Sequence, residues 1–240
     1  MIFEFQGIKV FYKFFDNQCD ITNVFLHGWG RTHNDFLACK DFLLKQNNLF
    51  VDFPPFGQSN DVHENWCMWT YVNLIASLCE KVGAKYVNLT GHSFGGRVAI
   101  LLASVTKIDV RKLILVDSAG CRPKKKLNYF VKVFIYKIRK KFHSKNLNMG
   151  SVDYKNLSPK MKKVFVDIVT TYLEEFLPLI TCQTLILFGK NDKETPIYMA
   201  RKLHKKIKNS SLLLLDDCGH FPFIERRLEF EYQLKNFLEK

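Results

Sequence analysis

Short apolar, β-branched runs alternate along the chain with longer amphipathic segments. This alternation is typical of a mostly parallel β-sheet covered by helices. We therefore predict an α/β fold with a twisted sheet of about eight strands, the first two forming a hairpin. The predicted strands lie at 2–5, 9–15, 23–27, 49–52, 86–90, 112–116, 184–188 and 212–215. Helices are predicted at 34–46, 68–82, 94–106, 198–207 and 226–238, where apolar residues recur at three- and four-residue spacing.

One long stretch interrupts this alternation. Between Val116 and Thr184 nearly seventy residues have helical character and no strand pattern, which is more than a simple connection between strands needs. We interpret residues 121–181 as a helical cap inserted into a single domain that spans 1–240. Such a cap is expected over the carboxyl edge of the sheet, where open α/β sheets bind their ligands.

The predicted cap is strongly basic, with no acidic residue between Asp117 and Asp153. The whole chain has 36 Lys and Arg against 23 Asp and Glu, a formal net charge of +13. A solvated helix face is the favoured explanation, with attraction of anionic substrates or contact with a membrane surface as alternatives. No recognisable nucleic-acid-binding module accompanies the charge, so we expect no nucleic-acid partner. The oligomeric state is left open.

Seven cysteines are scattered singly, at 19, 39, 67, 79, 121, 182 and 218. Without a Cys-x-x-Cys pair or a second ligand pair, this distribution favours reduced thiols and predicts no metal site. No apolar run approaches the roughly 18 to 20 residues of a membrane span. The first residues also lack the apolar stretch of a signal peptide. We therefore expect a cytoplasmic protein.

The segment 86–103 contains the strongest chemical pattern. A predicted strand leads into Gly91-His-Ser-Phe-Gly95, and an apolar helix begins at once. A serine that projects from so tight a turn needs a strained backbone, and side chains two residues away on either side would collide with the strand or the helix. Ser93 would also lie at a helix N-terminus, which favours developing negative charge. Ser93 is therefore the predicted nucleophile.

A serine nucleophile needs a base and an acid that orients the base. His220 is the predicted base because it follows the last strand, and the chain order Ser, acid, His fits a hydrolase. Asp192 is the predicted acid because it follows a buried strand and Gly189. Asp117 is the main rival, since it also follows a central strand. The remaining rivals are Asp216 and Asp217 for the acid, and His27, His33, His63, His92, His143 and His204 for the base.

A second strand also runs into a glycine turn, at 24–30. Acyl transfer needs two donors at the developing oxyanion, each commonly worth about 2.7–4 kcal/mol. The residue after the nucleophile supplies one amide, here Phe94, and the turn after the early strand supplies the other. We predict the backbone N–H of Trp29 for this second position.

Together these segments resemble the α/β-hydrolase fold family over nearly the whole chain. The matching motifs are His27-Gly-Trp-Gly30, Gly91-His-Ser-Phe-Gly95, Gly189 to Asp192, and Gly219-His220. Residues 52–59 are also similar to a family loop, with Pro55 in place of that loop's first glycine. The resemblance implies an eight-stranded sheet, a helical cap, a Ser-His-Asp triad and no cofactor. Serine at position 93 argues against the haloalkane dehalogenase branch, whose nucleophile is an aspartate.

The predicted function is a serine hydrolase of small carboxylic esters or thioesters. The alternatives are hydrolysis of a C–C bond in a diketo substrate, a lyase step on an anionic one, or a binding module without turnover. Arg97 follows the nucleophile by one helical turn and has two interpretations: contact with a substrate carboxylate, or pairing with a neighbouring acid. We favour the pairing. The residues predicted to line the substrate pocket are His27, Trp66, Trp69, Phe130 and Phe221.

Overall fold

The computed structural model of the protein describes residues 1–124 and 157–239. In this part of the chain the strands are β1 (Ile2–Phe5), β2 (Ile8–Phe15), β3 (Ile21–Leu26), β4 (Asn47–Val51), β5 (Tyr86–His92), β6 (Val110–Val116), β7 (Gln183–Gly189) and β8 (Ser210–Leu215). The α-helices are α1 (Met68–Lys81), α2 (Phe94–Val105), α3 (Pro159–Thr170), α4 (Ile197–Lys206), α5 (Pro222–Glu225) and α6 (Arg227–Glu239).

The eight strands form one sheet in the order β1-β2-β4-β3-β5-β6-β7-β8. The pairs β1–β2 and β2–β4 are antiparallel, and every other pair is parallel. The predicted α/β fold class is thus confirmed, as is the N-terminal hairpin. Because the parallel strands end at the same edge of the sheet, the loops that follow β3, β5, β6, β7 and β8 gather there.

The sheet is covered on both faces. One apolar cluster packs α1 and α2 against the sheet, and a second packs Phe230 and Leu234 of α6 against Phe25 and Phe50. Helix α2 is buried from Phe94 to Leu102 and therefore lies inside the molecule, like the strand that precedes it. Each large apolar side chain buried in this way contributes about 1.5–3 kcal/mol. The turn between β5 and α2 is consequently held by a rigid core.

The prediction of a helix at 34–46 is wrong. Two short 3-10 helices, His33–Asp35 and Leu37–Asp41, occupy most of this stretch. Phe36 and Cys39 are buried, and the N–H of Cys39 donates to the carbonyl oxygen of Phe36. A 3-10 helix places residues three apart on the same face, so it satisfies this apolar spacing as well as an α-helix does. The other predicted helices are present with ends shifted by one residue. The strands extend up to two residues beyond the predicted bounds, except that β3 and β4 each end one residue before the predicted end.

Part of the predicted cap, 121–181, falls outside the described residues. Within the described part, Ser158 caps α3 by accepting a hydrogen bond from the N–H of Met161. The buried residues of α3 are Met161, Val164 and Ile168, a stripe at three- and four-residue spacing. Asp167 accepts a hydrogen bond from the N–H of Met68 at the start of α1 (2.7 Å), so α3 is attached to the core domain.

Within the described ranges, no helix has both the length and the apolar character that crossing a bilayer requires. None of the seven cysteines forms a disulfide.

Candidate active site

Ser93 lies in a strained turn between β5 and α2. Its backbone dihedrals are φ 49° and ψ −107°, in a region that residues with side chains rarely adopt. A Cβ atom on Gly91 would lie 2.5 Å from the carbonyl oxygen of Gly95, and one on Gly95 would overlap the carbonyl oxygen of Leu26. Neither position therefore accepts a side chain, as expected from the sequence pattern around Ser93.

The serine opens into a cavity of about 530 Å³ at the carboxyl edge of the sheet. Five of the residues predicted as catalytic, oxyanion or pocket residues line this cavity, namely Ser93, His220, Trp29, Phe94 and Phe221. They come from the loops after β3, β5 and β8, which the parallel sheet brings to one edge. Ser93 and His220 are 127 positions apart in the chain, and the topology places them at one surface.

His220 is oriented by Asp192. The Nδ1 atom of His220 lies 2.8 Å from Oδ2 of Asp192 and donates to this carboxylate. Asp192 also accepts hydrogen bonds from the N–H groups of Glu194 (2.7 Å) and Thr195 (3.1 Å), and from the Thr195 hydroxyl (2.5 Å). Burial alone would raise the pKa of Asp192, but the hydrogen bonds from His220 and Thr195 outweigh it and hold the pKa well below its usual range. Asp192 is therefore ionised, and His220 is the Nδ1–H tautomer with Nε2 available as an acceptor.

The Ser93 hydroxyl makes no hydrogen bond to any residue in the described part of the chain. Ser93 and His220 line the same cavity, but the hydrogen bond expected between the serine oxygen and the imidazole nitrogen is not formed. In enzymes without substrate this hydrogen bond is often long and tightens when substrate binds.

Asp117, the rival acid, lies behind Asp192 and makes no hydrogen bond to His220. It is fully buried, and its Oδ1 accepts a hydrogen bond from the N–H of Gly189 (3.0 Å), whereas no N–H or hydroxyl donor reaches Oδ2. Burial, and then the adjacent Asp192 carboxylate, raise the pKa of Asp117 to about 10. This raised pKa favours the neutral form of the Asp117 carboxyl at pH 7. Asp216, another rival, pairs with Lys190 at the surface (2.6 Å).

Two residues that line the cavity have backbone amides without an acceptor in the described part of the chain. The N–H groups of Trp29 and Phe94 donate to no group within the described residues, and both residues line the cavity. Phe94 is the first residue of α2, whose N–H has no partner inside the helix. A Cβ atom on Gly28 would lie 2.6 Å from Nδ1 of His92, so glycine at this position lets the Trp29 loop approach the serine turn.

Three of the predicted pocket residues do not line this cavity. His27 is buried, donates from Nδ1 to the carbonyl oxygen of Gly28, and accepts from the N–H of Phe53; burial lowers its pKa to about 4. Trp66 is buried in the core against Phe5 and Tyr71. Trp69 is 43% exposed and packs against Phe176. Phe130 lies outside the described residues. None of the three side chains described here lines the cavity, because an aromatic residue type does not specify the direction in which the side chain points.

The cavity wall that sequence reasoning missed comes from α3. Phe165, Ile168 and Val169 line the cavity, together with Arg31 and Thr195. The ring of Trp29 meets that of Phe165 edge-on at 5.2 Å. The available signal was the amphipathic pattern of α3, which predicts an apolar face but not the surface that it covers.

Arg97 also lines the cavity, and within the described residues it does not form the expected pair with an acid. Its Nη1 donates to the carbonyl oxygen of Thr171 (2.6 Å), and its Nη2 donates to that of Val169 (3.5 Å). Both acceptors lie at the C-terminal end of α3, where carbonyl groups lack partners within the helix.

The other histidines near the edge of the sheet have structural contacts. His92 donates from Nε2 to the carbonyl oxygen of His220 (2.8 Å) and so supports the loop that carries the predicted base. Burial, and then the neighbouring His220 imidazole, lower the pKa of His92 to about 3, which keeps it neutral. His33 forms a second histidine–aspartate pair, with Nδ1 2.9 Å from Oδ1 of Asp52, and it does not line the cavity.

The fold agrees with comparisons to known proteins. A sequence model of the alpha/beta hydrolase fold matches residues 24–142. The AB hydrolase superfamily protein YisY of Bacillus subtilis is 26% identical, over 89% of this chain and 90% of its own. The pimeloyl-[acyl-carrier protein] methyl ester esterase of Legionella pneumophila is also 26% identical, over 90% and 94% of the two chains.

Among solved structures, an esterase from Exiguobacterium antarcticum superposes with a TM-score of 0.78 at 23% identity, covering 100% of this chain and 98% of that one. At this identity the superposition establishes the fold alone. The architecture, the matched segment and the relatives lead to one conclusion: the chain belongs to the α/β-hydrolase fold family.

Proposed function

We propose that this hydrolase cleaves small carboxylic esters or thioesters through a covalent acyl-enzyme on Ser93. One observation carries the proposal. The strained serine opens into the same cavity as an imidazole that Asp192 holds with Nε2 free. These are the elements that an acyl-transfer mechanism needs: a nucleophile, a base in the correct tautomer and an orienting anion.

In the acylation step, Ser93 Oγ attacks the substrate carbonyl carbon while His220 Nε2 takes the hydroxyl proton. This step requires the two atoms to approach to about 2.6–3.2 Å when substrate binds. The ionised Asp192 stabilises the imidazolium that forms, and it does not itself take the proton. The free amides of Trp29 and Phe94 are the donors for the oxyanion, helped by the N-terminus of α2.

The tetrahedral intermediate then collapses, and His220 returns its proton to the leaving alcohol or thiol. Water enters and repeats the sequence on the acyl-enzyme: His220 deprotonates the water, the ester bond to Ser93 breaks, and the serine recovers its proton. The products are a carboxylic acid and an alcohol or thiol. Every step uses side chains, backbone amides and water.

The dimensions of the cavity favour small substrates. A volume of about 530 Å³, lined on one side by apolar residues of α3, suits a short acyl chain. We propose that residues 121–181 act as the cap of a single domain, since α3 belongs to this segment and forms a wall of the cavity.

The proposal is tested with a panel of alkyl esters and thioesters of graded acyl length. We expect the wild type to hydrolyse short members, and Ser93→Ala to reduce kcat by about 10⁴- to 10⁶-fold while it melts at a similar temperature. A vinylogous 1,5-diketo acid is tested in parallel. Turnover of the diketo acid alone would overturn the ester assignment, and equal activity of the Ser93→Ala variant would overturn the mechanism.

A further inference from the structure

Arg97 is a buried cation in the wall of the candidate active site. It follows Ser93 by four residues, so the two lie about one helical turn apart. Its side chain extends to the end of α3, and only 7% of the residue is exposed. Its two hydrogen-bond acceptors are neutral backbone carbonyls, which leave further N–H groups of the guanidinium for another partner.

No carboxylate within the described residues forms an ion pair with Arg97. Glu174 is an acid whose charge acts on it, but this carboxylate is held by Lys202 (2.7 Å) and by the N–H of Arg122 (2.6 Å). Glu194 also lines the cavity, where it is exposed. Burial lowers the pKa of Arg97 to about 10, so the group remains charged at neutral pH. A buried charge that lacks an opposite charge is costly to a fold, so its retention calls for an explanation.

Arg31 provides a contrast in the same cavity. Its guanidinium makes a bidentate pair with Asp35, at 2.9 Å from Nε and 2.5 Å from Nη2. It also lies 5.2 Å from the ring centre of Phe221. The charge of Arg31 is therefore neutralised within the protein, whereas that of Arg97 is available to a ligand.

We propose that Arg97 is a subsite for a substrate carboxylate, so that the enzyme prefers half-esters or half-thioesters of short dicarboxylic acids. This inference rests on the proposed function. The leaving group must lie at His220, which returns its proton, and Arg97 contacts α3 rather than the His220 loop. The carboxylate is therefore assigned to the acyl chain, with its methylene groups against Ile168 and Val169.

The test compares two substrates of the same length and shape. Monoethyl glutarate ends in a carboxylate, and ethyl glutaramate ends in a neutral amide. The measured quantity is the ratio of their kcat/KM values. We expect the wild type to favour the carboxylate by about 10- to 100-fold, the range expected for a hydrogen bond to a charged group. Arg97→Gln should lower the ratio about tenfold or more, whereas Arg111→Gln should change it by less than about threefold. Arg111 is the control because it pairs with Asp109 at the surface (2.9 Å) and does not line the cavity.

A wild-type ratio near one would overturn the inference without any variant, as would an unchanged ratio in a folded Arg97→Gln protein. A separate measurement distinguishes this failure from failure of the proposed function. We expect calorimetry to detect binding of free glutarate to Ser93→Ala, and a loss of that binding when Arg97→Gln is added. Glutarate binding without ester turnover would support the Arg97 subsite and contradict the proposed ester hydrolysis. Ester turnover without glutarate binding would support the hydrolysis and contradict the subsite.

Discussion

The protein contains two histidine–aspartate pairs that differ in their surroundings rather than in their geometry. His220 and Asp192 are 2.8 Å apart through Nδ1, and His33 and Asp52 are 2.9 Å apart through the same ring atom. The first pair opens into the cavity that contains Ser93. The second lies beneath the ring of Phe11, with the His33 Nε2 atom buried and without a partner.

The His33–Asp52 pair stabilises the fold. Asp52 accepts hydrogen bonds from the N–H of His33 (2.7 Å) and from that of Gln58 (2.9 Å), while Ser59 donates to its carbonyl oxygen (2.6 Å). These bonds close the loop that follows β4. A histidine paired with an aspartate is therefore not enough to act as a catalytic base. His220 differs from His33 because it has access to substrate and to a nucleophile.

The largest difference is expected when each histidine is removed. His220→Ala should lower kcat on a short ester by about 10⁴- to 10⁶-fold, because the serine loses its base. His33→Ala should leave kcat within about threefold but lower the free energy of unfolding by about 1–3 kcal/mol, because Asp52 loses a buried donor. Steady-state kinetics and urea unfolding provide the two readouts. Similar losses of activity in both variants would remove the distinction between the pairs.

The two aspartates should differ in the same way. Asp192→Asn should lower kcat by about 10⁴-fold, since the amide favours the wrong imidazole tautomer. Asp52→Asn should act mainly on stability, by about 1–3 kcal/mol, since its amide nitrogen cannot accept the hydrogen bonds that the second carboxylate oxygen accepted. An Asp192→Asn enzyme with near wild-type kcat would show that another acid orients His220.

A smaller effect is expected at Asp117, a buried carboxyl next to the His220–Asp192 pair. The unfolded chain ionises this carboxyl above its ordinary pKa near 4, whereas the folded protein keeps the proton until about pH 10. The unfolded state therefore binds fewer protons in this range, and the contribution of Asp117 to stability falls as pH rises. Asp117→Asn, which cannot ionise, should stabilise the protein by several kcal/mol at pH 8 and by about 1–2 kcal/mol at pH 5.

Thermal melting at both pH values measures this effect. Asp216→Asn is the control, because Asp216 is exposed and its surface ion pair with Lys190 is expected to contribute little. A variant less stable than the wild type at pH 8 would show that Asp117 is held as a carboxylate.

The parts of the site that depend on local sequence were predictable. The glycines around Ser93 are required by contacts with nearby backbone, and the strand-to-turn order at Trp29 is also a local pattern. Both segments lie at the cavity. The eight-stranded sheet was predictable for a similar reason, because each buried strand has its own apolar pattern. In the stretch of the 3-10 helices His33–Asp35 and Leu37–Asp41, the apolar spacing predicted a buried face correctly but did not distinguish a 3-10 helix from an α-helix.

The remaining features depend on how distant segments pack. Asp117 and Asp192 both follow buried strands, and only the placement of β8 decides which of them contacts His220. Trp66 and Trp69 are adjacent to a helix start, yet one is in the core and the other is exposed. Arg97 finds its acceptors at the C-terminal end of α3, more than seventy residues away, so no local pattern could reveal that it has no acidic partner within the described ranges.

The most direct test of the central claim is labelling with a fluorophosphonate, followed by intact mass and peptide mapping. The reagent phosphonylates a serine only when a neighbouring base activates it. We expect one adduct, on Ser93, that is absent in Ser93→Ala, slow to form in His220→Ala and formed at the wild-type rate in His33→Ala. A folded wild type that stays unlabelled, or an adduct on another residue, would contradict the assignment of Ser93 and His220.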